Sequence, residues 1–75
     1  MSLNSKQEAP ITAFGRNVRR ERMARKITQE RLAELVDLNI RTVQKIEAGD
    51  VNILLTTMVR LQKALGSQWT DILGK

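Results

Sequence analysis

The 75-residue chain reads as a single all-α domain built from five short helices. Apolar residues recur at three- and four-residue spacing along most of its length, and no segment alternates with period two for long enough to make a strand. Residues suited to capping helix starts, Thr28 and Asn39, and glycines suited to ending helices, Gly49 and Gly66, punctuate that pattern at helix-length intervals.

Residues 1–11 are polar, aperiodic and contain the single proline, so they are expected to form a flexible N-terminal tail ahead of a folded domain at 12–75. A first helix is expected over 12–25, where Phe14, Val18 and Arg22 follow each other at four-residue spacing and Met23 widens the stripe. Gly15 inside a helix costs roughly 1 kcal/mol against alanine, which implies a close packing contact there. Five arginines, Arg16, Arg19, Arg20, Arg22 and Arg25, crowd this segment around Glu21.

Thr28 is a good N-cap for a second helix, with Gln29, Glu30 and Arg31 in its first turn. Leu32, Leu35 and Val36 give it an apolar face, and Ala33 is small enough to allow close approach. Asp37-Leu38-Asn39 breaks it, and Asn39 caps a third helix over 40–48 with Val43 and Ile46 inward and Gly49 just past its end. After a loop at 50–52, a fourth helix over 54–65 carries Leu55, Met58, Leu61, Ala64 and Leu65 on one stripe. Gly66 ends it, and Ser67 or Gln68 begins a short fifth helix with Trp69, Ile72 and Leu73. Leu32, Leu35, Val43, Ile46 and Leu55 are the expected core, closed by Trp69, with Ile72 and Leu73 left at the surface.

Composition narrows the function classes. Histidine and cysteine are both zero, which removes Cys/His catalytic pairs, His/Cys metal sites and disulfides. No Gly-rich phosphate loop accompanies the surface acids Glu30 and Glu34, so neither catalytic residues nor a cofactor is expected. No apolar run is long enough for a membrane span and the N-terminus has no apolar signal core, so a cytoplasmic protein is expected. Thirteen lysines and arginines against eight acids give a net charge of +5. A small basic domain favours polyanionic partners, nucleic acid first.

Position sharpens that expectation. Two short capped helices joined by a three-to-four-residue turn, the second with a polar and partly basic outer face, make a helix-turn-helix, in which the first helix braces and the second enters the DNA major groove. Residues 28–49, T-Q-E-R-L-A-E-L-V-D-L-N-I-R-T-V-Q-K-I-E-A-G, resemble the Cro/repressor-type (Xre-like) helix-turn-helix family of transcriptional regulators. Arg22 upstream and N-I-L-L-T-T-M-V-R-L-Q-K-A-L-G, residues 52–66, extend the resemblance over about residues 12–73. Two positions depart from the family pattern: Lys26 stands where many members have glycine, and Ile53 where proline is common.

The resemblance implies a compact five-helix lambda-repressor-like fold, binding to double-stranded DNA and no enzymatic activity. It implies base readout by Ile40, Arg41, Gln44 and Lys45. Arginine or lysine can donate twice to guanine, glutamine pairs with adenine, and an isoleucine can touch a thymine methyl. Phosphate contacts are implied for Gln29 and, more weakly, Thr28, Asn39, Thr42, Asn52 and Thr56, mostly near helix N-termini. Arg22 and Glu47 are implied as an ion pair bracing the first helix against the third. Family members usually form two-fold dimers on near-palindromic sites, so a homodimer is expected, with Ile72 and Leu73 at its interface. Within this reading the chain is a phage-type repressor, a restriction–modification controller or the antitoxin of a toxin–antitoxin pair, with a toxin or the polymerase open as protein partner. The reading from another class is a protein-interaction adaptor reusing the fold, which an acidic or apolar third-helix face would favour.

Overall fold

The computed structural model describes residues 9–74. These form five α-helices and, among the described residues, no strand: α1 (Pro10–Ala24), α2 (Gln29–Val36), α3 (Ile40–Ala48), α4 (Leu55–Leu65) and α5 (Trp69–Leu73). The helix starts at Pro10, two residues before the expected position. Pro10 occupies the first turn, where its missing N–H has no intrahelical partner to lose. Most of the expected tail, residues 1–8, lies outside the described residues.

α1 is the central element and packs against α3, α4 and α5, while α2 packs on α3 and α4. The core between them consists of Phe14, Val18, Leu32, Ala33, Val36, Val43, Ile46, Leu61, Leu65 and Ile72. Gly15 is the point of closest approach. A Cβ there would collide with the Ile46 backbone carbonyl oxygen and crowd the backbone of Glu47. The missing side chain therefore lets α1 lie directly on the C-terminal half of α3. Arg22, two turns along the same face, then faces the Glu47 side chain.

Four expectations of the core are corrected. Leu35 and Leu55 are exposed, at 46% and 71%. In α2 the buried arc is Leu32, Ala33 and Val36, which leaves Leu35 at its edge. In α4 the inward stripe runs through Met58, Leu61, Ala64 and Leu65, and Leu55 in the first turn falls outside it. Trp69 is 37% exposed and does not close the core; Ile72, expected at the surface, is fully buried in its place. The cause is the start of α5. Gln68 is its N-cap, in a reciprocal capping box with Asp71, so the one-turn helix turns Ile72 inward and Trp69 and Leu73, four apart, outward.

A second polar tie was not visible in the periodicity. Asn17 is fully buried on α1. Its Nδ2 donates to the carbonyls of Ile72 at 3.1 Å and Gly74 at 2.7 Å, and its Oδ1 accepts from Arg20 Nη1 at 2.9 Å. It thereby satisfies carbonyls at the end of α5 that the helix itself cannot. Its signal in the sequence is a polar residue three positions after Phe14, in register with the apolar stripe.

Candidate nucleic-acid interface

The helix-turn-helix is α2, a three-residue turn and α3. Thr28 Oγ1 accepts from the Arg31 N–H at 3.0 Å and Asn39 Oδ1 from the Arg41 N–H at 2.8 Å, so both expected caps form. Asp37 turns the chain with a left-handed backbone, φ +57°, and the following Leu38 N–H bonds the Ala33 carbonyl at 2.9 Å. The turn before α2 is made the same way: Lys26 holds φ +58°. The lysine at the family's glycine position therefore keeps the backbone that favours glycine instead of changing it. Ile53, at the position where proline is common, is half-buried and packs against the core.

On α3, Arg41, Gln44, Lys45 and Ala48 occupy successive positions of one exposed face, opposite the buried Val43 and Ile46. With Asp50 they line a shallow concavity. Ala48 and Asp50 were not singled out in the sequence; the i+3 and i+4 steps from Lys45 and Gln44 lead to Ala48. Ile40 is at one edge of this face, half-buried and packed on the core, and Thr42 is half-buried at the opposite edge. Thr28, Asn39, Asn52 and Thr56 are exposed.

Behind the face lies the expected ion pair. Arg22 Nε donates to Glu47 Oε2 at 2.6 Å and Nη2 to Glu47 Oε1 at 3.1 Å, a two-pronged contact between side chains that are 12% and 3% exposed. The third nitrogen, Nη1, donates to the Ile27 carbonyl at 2.9 Å, just before the cap of α2. Gln29, the first residue of α2, is half-buried and donates through Nε2 to Glu47 Oε1 at 3.0 Å.

Arg20 of α1 and Arg25 at its C-cap are committed within the chain. Arg20 bonds Asn17, Glu21 and the Asp71 carbonyl, and Arg25 pairs with Glu21 at 2.9 Å. Ser67 Oγ donates to the same Glu21 carboxylate at 2.8 Å. That hydroxyl, aided by Arg25 and Arg20 against partial burial, holds the Glu21 carboxyl below the usual range. Within the helix-turn-helix, Arg31 of α2 is paired with Glu34 at 3.1 Å, and Arg41 and Lys45 carry the basic charge of the exposed α3 face.

No group of three or more acidic, histidine or cysteine residues that could hold a metal is present among the described residues. No helix there is long and apolar enough to cross a membrane.

The chain is similar to known proteins in sequence and in fold. A helix-turn-helix family model matches residues 18–72. Control protein C.BamHI of Bacillus amyloliquefaciens is 38% identical over 61 residues, 80% of this chain and 75% of that one. The crystal structure of the restriction-modification controller protein C.AhdI from Aeromonas hydrophila superposes with a TM-score of 0.80 at 31% identity, covering 87% of this chain and 98% of that one. The match spans both helices of the motif, residues 22 and 47 of the brace and most of α5, so the chain belongs to the Cro/repressor-type helix-turn-helix family of DNA-binding transcriptional regulators, which are not enzymes.

Proposed function

We propose that the chain is a controller of a restriction–modification system that binds a near-palindromic operator as a homodimer. The observation that carries the DNA-reading part is the exposed α3 face of Arg41, Gln44, Lys45 and Ala48, backed by a buried brace that holds α3 against α1. Arg41 and Lys45 have the donors that guanine offers acceptors for, and Gln44 suits adenine. Ile40 supplies apolar contact at the edge of the face. Gln29 at the start of α2 is the main phosphate contact, with Thr28, Asn39, Thr42, Asn52 and Thr56 as flanking ones, because helix starts present N–H groups and positive potential to an anion. A face with these residues does not suit the adaptor reading, which needs acidic or apolar side chains.

The controller assignment rests on the names of the two relatives. A single domain spans only a few base pairs, which favours a dimer. The exposed apolar pair on α5 is Trp69 and Leu73, with Trp69 replacing the buried Ile72 in the proposed interface. The test is selection of bound duplexes from a random library. Two inverted half-sites at a fixed spacing are expected; retention of duplexes without any enriched sequence would overturn the reading.

A further inference from the structure

The Arg22–Glu47 pair braces α1 against α3, yet one of its atoms has a second partner. Glu47 Oε1 accepts from both Arg22 Nη2, at 3.1 Å, and Gln29 Nε2, at 3.0 Å. We propose that Glu47 is a positioning residue for DNA binding: its buried carboxylate sets the Gln29 side-chain amide in advance so that the remaining N–H points to a DNA phosphate. The proposal rests on the reading of Gln29 as a phosphate contact given above.

The two ends of a glutamine amide have nearly the same shape, and its last torsion is broad. In the free protein an unrestrained Gln29 would populate both orientations of its amide, and only the NH2 end can donate to a phosphate. The oxygen repels that anion. A carboxylate next to it removes the ambiguity, since an ionised carboxylate only accepts and must face the NH2 end. One of the two N–H bonds is then used, and the other diverges from Glu47.

The anchor is itself immobile. Both Glu47 oxygens are held by the planar Arg22 fork, and the Glu47 side chain is 3% exposed. The same guanidinium holds the Ile27 carbonyl, next to the Thr28 cap. One arginine thus fixes the chain entering α2 and the acceptor that orients the first residue of α2. Three helices meet at the Glu47 carboxylate, although α2 contributes to the brace no charge of its own.

Ordering a rotamer-rich side chain in advance corresponds to roughly 2- to 10-fold in affinity. The test is a cycle of Gln29→Ala, Glu47→Gln and the double variant, titrated against the selected operator and a random duplex by fluorescence anisotropy, at a temperature where circular dichroism shows each variant folded. Gln29→Ala is expected to weaken both duplexes alike. The salt dependence should stay unchanged, because the side chain carries no charge. Glu47→Gln also weakens the brace, so it is expected to weaken binding in both backgrounds, but severalfold more when Gln29 is present than when it is alanine. An equal loss in both backgrounds would make Glu47 a brace only and overturn the proposal. Full affinity of Gln29→Ala would instead overturn the phosphate contact beneath it. Side-chain amide spectra of the unmodified free protein supply a check that needs no variant to fold. The Gln29 NH2 is expected to show one downfield, exchange-protected proton, and two protons at the shifts and exchange rates of an exposed glutamine would refute the positioning.

Discussion

Removing the Arg22 guanidinium isolates the energetics of the brace. Arg22→Met deletes three hydrogen bonds, two to Glu47 and one to the Ile27 carbonyl, and leaves a carboxylate only 3% exposed with the neutral Gln29 amide still donating to it. Removing one partner of a buried pair costs about 3–5 kcal/mol, because an uncompensated charge stays in a poorly solvated place. A domain of this length has a total stability of roughly 4–11 kcal/mol, so the loss takes about a quarter of it or more. At about 4–8 °C per kcal/mol the midpoint of thermal unfolding should fall by roughly 12 °C or more. The contrast is Arg31–Glu34, also an ion pair at 3.1 Å but 58% and 69% exposed. Its removal by Arg31→Ala should cost under about 1 kcal/mol, as screened surface pairs do. Adding Glu47→Leu to Arg22→Met should recover much of the loss, since the stranded charge is gone. Urea and thermal denaturation followed by circular dichroism measure all of these. A cost for Arg22→Met no larger than that for Arg31→Ala would refute the reasoning.

Three further outcomes follow from the packing. Gly15→Ala should destabilise by about 1–3 kcal/mol despite the better helix propensity of alanine, because its Cβ meets α3 backbone that cannot give way locally; urea unfolding reads it. Lys26→Gly should stabilise by up to about 1 kcal/mol, since relief of a left-handed lysine outweighs the added chain entropy of glycine; a raised urea midpoint with unchanged slope is the expected sign. The lowered pKa of Glu21 adds stability that is present above the ordinary carboxylate range and is lost as pH falls through the depressed value; Glu21→Gln should flatten that acidic limb of a stability-against-pH curve.

The helix-turn-helix was legible in the sequence because local chemistry defines it. Thr28, Asn39 and Gly49 each fix a helix end by a bond or a backbone angle that depends on near neighbours alone, and all three stand where expected. Gly15 announced a tertiary contact, since a glycine inside a helix needs a reason. The C-terminal end was less legible. Whether Trp69 or Ile72 turns inward depends on the single residue at which a one-turn helix begins, and a shift of one position rotates its faces by about 100°. Leu35 and Leu55 were misplaced because a stripe read at i+3 and i+4 spacing is wider than the arc that neighbouring helices cover. Asn17 escaped because its partners are backbone carbonyls 55 and 57 residues away, which side-chain patterning does not encode. Among the proposed DNA contacts, the link between Gln29 and the brace was not legible. Gln29 and Glu47 share a hydrogen bond across 18 residues, a link that only the packing of α2 on α3 creates.

The central claim is that the outward face of α3 reads bases while the start of α2 holds the backbone. Competition binding of Arg41→Ala against every single-base variant of one selected half-site tests it most directly. A bidentate arginine–guanine contact contributes roughly 1–3 kcal/mol of discrimination, so the variant should lose preference at one position of each half-site, by about 5- to 150-fold, and keep it elsewhere. Thermal stability should change little, because Arg41 is exposed. A preference profile unchanged at every position, with the protein folded, would contradict readout by Arg41 and leave Gln44 and Lys45 as the residues that specify the site.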